Sequence, residues 1–313
     1  MSVLAFVFPG QGSQAVGMLA TAHERFAAVR ECYAEASEAL GFDVARLSLE
    51  GPESDLNRTE FTQPALLTAG VALWRAWLAQ GGARPAFLAG HSLGEYTALV
   101  AAGALTLADG ARLVRERGRL MQAAVPEGQG AMAAVLNAEL ALLSEACVAA
   151  SVDGEAVVPA NLNAPGQIVI SGHAAAVDRA LAALAARGVK RAIKLPVSVP
   201  SHSPLMRSAA EQFAERLRAV TWSAPSIPVI HNADVTSHVD AVSMQAALAA
   251  QLYSPVRWIE TIESLAQQGV TRLAECGPGK VLLGMVKRIA PGIEGRSLAE
   301  PDALIECVEA WKS

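Results

Sequence analysis

The sequence has few charged, aromatic and cysteine residues, and this composition argues against several classes of protein. Of its 313 residues, 18% are charged, 5% are aromatic and 52% are hydrophobic, which argues against disorder and is typical of a well-buried α/β enzyme. The net charge is −5 without a long basic run, so we expect no nucleic-acid partner. No apolar run approaches the roughly 20 residues that cross a bilayer, so we expect no membrane segment.

The cysteines and the N-terminal segment bear on the compartment. The segment MSVLAFVFPGQG lacks the basic n-region of a signal peptide. The cysteines are far apart, and none forms a CxxC pair or has the spacing of metal ligands: Cys32, Cys147, Cys276 and Cys307. We therefore expect reduced thiols, no metal and a cytoplasmic location.

Towards both ends of the chain, short apolar segments alternate with longer helical patterns. Strands are predicted at Leu4–Phe8 and at AFLAG, and helices at Thr21–Leu40 and Leu107–Ala124. This alternation predicts a mostly parallel sheet with helices on both faces. After the strand VTRLAEC and the turn GPGK we expect one final helix.

The pattern changes in the middle of the chain. Its segments follow the order strand, helix, strand, strand, helix, strand, and Asn137 is predicted to open the first of these helices. This order is the ferredoxin-like arrangement. We assign residues 130–195 to a small inserted subdomain, and residues 1–129 and 196–313 to a large α/β subdomain.

The stretch FLAGHSLGEY contains a candidate nucleophile. Gly90, Ser92 and Gly94 fit the pattern G-x-S-x-G, with a predicted strand before them and a predicted helix after them. This context is typical of a nucleophile elbow, in which a strained turn exposes the serine and glycines permit close packing. We predict that Ser92 is the nucleophile; the alternative is a structural serine in a βα turn.

A serine nucleophile needs a base within hydrogen-bond reach, and His202 is the best-placed histidine. It lies in SVPSHSPLM, between a predicted strand and a helix that Ser203 can cap and Pro204 can start. Loops at the carboxyl ends of strands carry the chemistry of α/β folds. The positive end of the helix would help to keep the imidazole neutral. The residues alone leave a structural role for His202 open.

One arginine of the predicted helix Leu107–Ala124 faces its apolar side. With Leu113 set at zero and 100° per residue, Arg117 falls at about 40°, between apolar neighbours. Three other arginines fall on the opposite, solvated side: Arg112, Arg115 and Arg119. A buried guanidinium must be paired, because burying it alone costs several kcal/mol. Its partner is either an internal carboxylate or the carboxylate of a substrate.

Eight motifs, in order along nearly the whole chain, resemble those of the bacterial malonyl-CoA:acyl carrier protein transacylase family. They are FVFPGQGSQ, TQPALL, GHSLGEY, RERGRLMQ, NAPGQIVISG, VPSHSPLM, QLYSPVRW and ECGPGKVL. The resemblance implies an α/β-hydrolase-like core with a ferredoxin-like insert, in agreement with the pattern above. It also implies an acyltransferase of fatty-acid synthesis that carries malonyl from malonyl-CoA to the phosphopantetheine thiol of acyl carrier protein, without a cofactor. We expect a monomer.

The resemblance also assigns roles to the matching positions. Ser92 takes the malonyl group as an ester, His202 is its base, and Arg117 binds the malonyl carboxylate. These three side chains would give a ping-pong reaction through a malonyl-serine intermediate.

Further positions complete the implied site. The backbone N–H groups of Gln11 and Leu93 form the oxyanion hole. The main-chain carbonyl of Gln251 holds the second ring nitrogen of the histidine, in place of the acid of a triad. Three residues are expected to line the pocket: Gln63, His91 and Met121.

An acidic carrier protein requires a local basic patch on this acidic chain. Two clusters are candidates. The first, in ARGVKRAIK, contains Arg187, Lys190, Arg191 and Lys194, and the second contains Lys280, Lys287 and Arg288. The alternative is that these charges only form solvated faces.

Other functions also stay open. A serine hydrolase shares the elbow, but its chain order is serine, acid and late histidine, and here no histidine follows His238. An acyltransferase of a polyketide assembly line or of a malonate-decarboxylase complex would carry the same motifs. A non-catalytic binding module would not need the reactive residues that are present.

Overall fold

A computed structural model describes residues 2–152, 154–197 and 199–312 of the chain. The strands of these residues are β1 (Val3–Phe8), β2 (Phe87–Gly90), β3 (Gly130–Leu136), β4 (Val157–Ala164), β5 (Gln167–His173), β6 (Arg191–Lys194), β7 (Val229–Ile230), β8 (Val270–Glu275) and β9 (Glu294–Ser297). The first helices are α1 (Ala20–Arg25), α2 (Ala27–Leu40), α3 (Val44–Glu50), α4 (Glu53–Leu56), α5 (Thr59–Ala79), α6 (Gly94–Ala101) and α7 (Leu107–Ala123). The later helices are α8 (Leu140–Ala150), α9 (Ala174–Ala186), α10 (Arg207–Arg218), α11 (Ala241–Gln251), α12 (Trp258–Gln267), α13 (Val281–Ile289) and α14 (Pro301–Ala310).

The strands form two separate sheets. One is parallel throughout, with the order β7-β2-β1-β8-β9. The other is antiparallel throughout, with the order β4-β5-β3-β6. Because the second sheet follows the ferredoxin-like order of elements between residues 130 and 194, the predicted fold class is confirmed. The exact division into two subdomains stays a prediction.

Alternate residues of β1 pack into cores on opposite faces of the parallel sheet. Phe6 and Phe8 belong to the larger core, where the rings of Trp74 and Trp77 contact Phe6 edge-on at 5.3 and 5.2 Å. Val7 belongs to the core on the other face. Burial on both faces explains why the strand is a continuous apolar run without alternation. The antiparallel sheet has a core of its own against α8 and α9.

The edge strand β4 connects the antiparallel sheet to the rest of the molecule. The N–H of Leu162 donates to the carbonyl of Val256 at 2.9 Å, and the N–H of Val256 donates to the carbonyl of Ala160 at 2.8 Å. These bonds fix β4 beside the segment that leads into α12. No helix in the described ranges is long and apolar enough to span a membrane.

Three local predictions were wrong. The helix predicted at Thr21–Leu40 is two helices, because Phe26 is extended between them and buries its side chain in the core. Asn137 does not open α8: it has a φ of 58° and donates to the carbonyl of Gly166, and Glu139 is the N-cap residue. The helix expected to be final is α13, and the chain continues into β9 and α14.

Candidate active site

Ser92 lies in a sharp turn between β2 and α6, at the carboxyl edge of the parallel sheet. Its φ of 52° is in the left-handed region, which non-glycine residues adopt rarely and which marks a strained position. A Cβ on Gly90 would lie 1.9 Å from the carbonyl carbon of Gly94, and a Cβ on Gly94 would lie 2.0 Å from the carbonyl oxygen of Phe8. The two glycines are therefore required because backbone passes directly against backbone at both positions.

The Ser92 hydroxyl and His202 form a hydrogen-bonded pair. Ser92 Oγ lies 2.8 Å from His202 Nε2, and His202 Nδ1 lies 2.8 Å from the carbonyl oxygen of Gln251. A carbonyl can only accept, so Nδ1 carries the proton and Nε2 is free to accept the serine proton. The structure thus brings together, over 110 residues of sequence, the two side chains predicted to act as nucleophile and base.

Burial, and after it the positive charge of Arg117, lower the pKa of His202 from the ordinary 6.5 to about 3. The imidazole is therefore neutral at physiological pH and can act as a base. The sequence suggested the helix N-terminus as the cause, and the structure adds two causes, burial and the nearby cation. Pro204 does begin a 3-10 turn before α10, whereas Ser203 does not cap it with its side chain, which donates to the carbonyl of Pro200 at 2.7 Å.

Arg117 points inward from α7, as its helical position predicted, and is 1% exposed. Nη1 donates to Gln63 Oε1 at 2.9 Å, and Nη2 donates to Gln251 Oε1 at 2.9 Å and to Ser92 Oγ at 3.2 Å. All three acceptors are neutral. Among the described residues no carboxylate lies within ion-pair distance of Arg117, and its Nε has no hydrogen-bond partner. A buried cation therefore contacts the Ser92 hydroxyl without a direct counter-ion.

The arginines on the other side of α7 are only partly solvated. Arg112 and Arg119 are exposed, and Arg119 forms an ion pair with Glu116 at 2.8 Å. Arg115 departs from the prediction of a solvated face. Its guanidinium carbon lies 5.2 Å from the centre of the Phe42 ring, and Nη1 donates to the carbonyl of Leu40 at 3.0 Å, because the apolar stem and planar head of arginine pack well on aromatic rings.

The backbone N–H groups of Gln11 and Leu93 have the freedom that an oxyanion hole requires. Within the described part of the chain, neither N–H donates a backbone or side-chain hydrogen bond. Leu93 follows Ser92 directly at the start of α6. The loop of Gln11 reaches the same turn, because a Cβ on Gly10 would lie 2.5 Å from the carbonyl oxygen of His91. Two loops that adjoin the turn of Ser92 thus each carry one backbone N–H without a hydrogen-bond partner among the described residues.

Of the three residues expected to line the pocket, two lie beside Arg117 and one faces away from it. Gln63 contacts Arg117, and its amide nitrogen lies 3.8 Å from the sulfur of Met121. Both are buried beside the cation. His91 instead faces the antiparallel sheet, where Nε2 lies 2.7 Å from Asn163 Oδ1.

A cleft of about 360 Å³ opens beside His202. Its other lining residues come from the start of α8, from β4 and from the loops before α10 and α12: Leu140, Val158, Pro159, Leu162, Pro204, Tyr253 and Pro255. The cleft is therefore mostly apolar and lies between β4 and the loops before α10 and α12. An elongated group could reach the dyad through it.

The sequence did not reveal a polar network behind the nucleophile. The Ser92 N–H donates to Asn232 Oδ1 at 2.7 Å, and Asn232 Nδ2 donates to the carbonyl of Gly90 at 2.7 Å. Glu95 is fully buried and lies 2.7 Å from Nδ1 of His231, which is also fully buried. A single carboxylate in the otherwise apolar helix GEYTALVA was the available signal, because such a residue must be paired when it is buried.

Comparisons with known proteins agree with this geometry. The acyl transferase domain family matches residues 5–293. A curated protein of Salmonella typhimurium, "Malonyl CoA-acyl carrier protein transacylase", is 54% identical over 97% of this chain and 98% of its own. The crystal structure of malonyl-CoA:acyl carrier protein transacylase from Xanthomonas oryzae pv. oryzae is 60% identical, with a TM-score of 0.97 and 99% of each chain covered. A structure described as a type II PKS acyl-carrier protein in complex with its malonyl-transacylase is 47% identical, with a TM-score of 0.97 and coverage of 99% and 100%.

Proposed function

The chain belongs to the acyl transferase domain family, and from this membership we propose that it transfers malonyl from malonyl-CoA to the phosphopantetheine thiol of an acyl carrier protein. The observation that carries the proposal is the buried guanidinium of Arg117, which lies 3.2 Å from Ser92 Oγ and has no ion-pair partner among the described residues. A cation at this position is complementary to an acyl group with a free carboxylate. The product would supply fatty-acid synthesis.

In the first half-reaction, Ser92 attacks the thioester. His202 Nε2 accepts the hydroxyl proton as the bond from Oγ to the carbonyl carbon forms. The developing oxyanion accepts hydrogen bonds from the amides of Gln11 and Leu93. The carbon–sulfur bond then breaks, and His202 returns its proton to the sulfur of CoA. Malonyl remains as an ester on Ser92.

In the second half-reaction, the carrier thiol replaces CoA and the same groups act in reverse. The thiol gives its proton to His202 as its sulfur attacks the ester carbonyl, and Ser92 recovers the proton as it leaves. A thioester is a reactive substrate, so a histidine oriented by the carbonyl of Gln251 at 2.8 Å is sufficient. Neither half-reaction requires a cofactor, and the proposed site of action is the cytoplasm.

The guanidinium provides the selection of the acyl group. The malonyl carboxylate can accept two hydrogen bonds from the fork of Arg117, in the geometry that arginine and carboxylate favour. An acetyl group would leave the cation buried without an anion. A site built around a polar partner rejects an analogue that lacks it far more strongly than an apolar pocket does.

The carrier protein would dock on the basic cluster of α13. Arg288 of this cluster donates to Gln167 Oε1 at 3.0 Å and to the carbonyl of Pro165, both at the turn between β4 and β5. Residues of β4 also line the cleft. The other cluster lies on and around β6, at the opposite edge of the antiparallel sheet. Two of its members are already ion-paired, Arg187 with Glu145 and Lys194 with Asp178. The cluster of α13 is the better candidate, because it contacts the turn that follows β4 and none of its charges forms an ion pair among the described residues.

A transfer assay with two acyl donors tests the proposal. Radiolabelled malonyl-CoA and acetyl-CoA are each incubated with the enzyme and a purified holo carrier protein, and label on the carrier is measured. Transfer of malonyl well above acetyl is expected. Equal transfer, or rapid release of free malonate without a carrier, would contradict it, the latter in favour of a serine hydrolase.

A carrier protein of a polyketide system is the alternative acceptor of the malonyl group, because one 47%-identical structure holds a type II PKS carrier protein. The same assay with carriers of fatty-acid and polyketide systems separates the two. A higher kcat/KM with the fatty-acid carrier supports the proposal, and the opposite order assigns the enzyme to the polyketide system.

A further inference from the structure

We propose that Glu95 is a positioning residue for the selection of the acyl group: it holds the side chain of Gln251, and Gln251 holds Arg117 in place. This inference rests on the proposed function, since it concerns how the cation that receives the malonyl carboxylate is oriented. Glu95 touches neither Ser92 Oγ nor His202 in any recorded hydrogen bond of the described residues. It acts through another side chain.

Three nitrogen atoms surround the buried carboxylate of Glu95. Its Oε1 lies 2.7 Å from His231 Nδ1, and its Oε2 accepts from the backbone N–H of Asn232 at 2.9 Å and from Gln251 Nε2 at 2.8 Å. Glu95, His231 and Asn232 are all fully buried. Two N–H donors converge on Oε2, so this oxygen acts as an acceptor.

The partners of Gln251 fix the orientation of its amide. Nε2 donates to Glu95 Oε2, and also to the carbonyl of Ser92 at 2.9 Å, while Oε1 accepts from Arg117 Nη2 at 2.9 Å. A carboxylate can only accept and a guanidinium can only donate, so an amide flipped by 180° would face unfavourable partners on both sides. The anion and the cation together therefore allow one orientation of Gln251.

The carboxylate of Glu95 lies near Arg117 but does not contact it, because the amide of Gln251 lies between them. The carboxylate, the amide and the guanidinium form a chain whose members are all at most 1% exposed. A buried cation with no counter-charge nearby would be costly, whereas a direct ion pair would occupy the donors that the substrate needs. A carboxylate one amide away compensates the charge and leaves the guanidinium without a direct ion pair.

The two branches of Gln251 make the proposal testable. Its side chain reaches Arg117, but its main-chain carbonyl reaches His202 Nδ1. The position of this carbonyl is set by the backbone at the end of α11 and does not depend on the side-chain amide of Gln251. Loss of Glu95 should therefore disturb the arginine and leave the Ser92–His202 pair in place.

The experiment measures acylation of the full-length enzyme by malonyl-CoA and by acetyl-CoA in Glu95→Gln, which keeps the shape and removes the charge. The ratio of the two kcat/KM values should fall at least about tenfold, as expected when a charge-assisted hydrogen bond is lost. Acetyl kcat/KM should stay within about threefold of the wild type. Gln251→Met, which cuts the same chain but keeps the main-chain carbonyl, should lower the ratio similarly, and the double variant should add little.

Glu275→Gln is the matched control. Glu275 is a second fully buried carboxylate, and it accepts from the backbone N–H groups of Leu282 and Leu283 at the start of α13, away from the dyad. Its loss should leave the ratio unchanged even if the protein becomes less stable. An unchanged ratio in Glu95→Gln, or an equal fall for both acyl groups, would overturn the positioning role.

The outcomes separate this inference from the proposed function. If the wild type shows no preference for malonyl, the proposed function fails. If the wild type prefers malonyl but Glu95→Gln keeps that preference, only the role of Glu95 fails. If Glu95→Gln does not fold, Gln251→Met decides: a retained ratio there contradicts the inference, and a reduced ratio supports it.

Discussion

The guanidinium of Arg117 donates a hydrogen bond to the hydroxyl of Ser92 at 3.2 Å. Arg117 lies in α7, whereas Ser92 lies in the turn before α6. The same hydroxyl is 2.8 Å from His202 Nε2. The imidazole of His202 and the guanidinium of Arg117 thus meet at one oxygen atom, Ser92 Oγ. An acyl group attached to this oxygen would have its free end within reach of the cation.

Replacing Arg117 with alanine should reduce malonyl kcat/KM by about a hundredfold or more, because the hydrogen-bond donor to the substrate carboxylate is lost. Acetyl kcat/KM should change much less, so the preference for malonyl should largely disappear. Steady-state acylation rates with both thioesters measure this. Arg119→Ala on the exposed side of the same helix is the control and should retain the preference. Malonyl selectivity that survives in Arg117→Ala would remove the assigned role.

The pH dependence of acylation follows from the lowered pKa of His202. The neutral imidazole is the active form, and a folded-state pKa of about 3 keeps it neutral well below the ordinary value of 6.5. Malonyl kcat/KM, which reports the free enzyme, should therefore stay nearly constant between about pH 7 and pH 5. Stopped-flow or quench measurements over this range check it. A fall centred near pH 6.5 would show that the imidazole has an unperturbed pKa.

The elbow should not tolerate a side chain at Gly90. A methyl group there would lie 1.9 to 2.2 Å from backbone atoms of Gly94 and Glu95, which cannot move independently of α6. Gly90→Ala should destabilise the protein by about 3 kcal/mol and abolish acylation. Gly292→Ala is a suitable control, because its Cβ would meet nothing within 4 Å. Urea unfolding of both variants gives the comparison, and equal stabilities would refute the steric account.

Charge reversal should identify the docking surface of the carrier. Lys287→Glu on α13 should raise the KM for the carrier protein several-fold at low ionic strength and leave acylation by malonyl-CoA unchanged. Lys190→Glu, in the cluster beside β6, should have little effect on either. Kinetics with the carrier as the varied substrate distinguish the two. The reverse result would move the docking surface to the antiparallel sheet.

The sequence predicted the parts of the site that depend on local pattern. G-x-S-x-G after a strand placed Ser92 in a strained turn, and 100° per residue placed Arg117 on the buried side of its helix, both as found. The wrong predictions concern the ends of elements. Asn137 is a good capping residue, but its left-handed conformation is fixed by a bond to Gly166, which no local pattern contains.

The network around Gln251 shows why the remainder could not be predicted. Its side chain meets Glu95, 156 residues earlier in the chain, and Arg117, 134 residues earlier. Such contacts depend on how α6, α7 and α11 pack, and each residue taken alone is an ordinary polar side chain. The family resemblance supplied a role for the main-chain carbonyl of Gln251 but none for its amide. Only the assembled fold shows that one residue contacts both His202 and Arg117.

The central claim is that a buried cation beside the nucleophile selects the malonyl group. The most direct measurement is competition: the enzyme is mixed briefly with equal concentrations of malonyl-CoA and acetyl-CoA, digested, and mapped by mass spectrometry. We expect malonyl on the peptide that contains Ser92, in large excess over acetyl, and no adduct in Ser92→Ala. Comparable amounts of acetyl and malonyl on Ser92, or an adduct that persists in Ser92→Ala, would contradict the account.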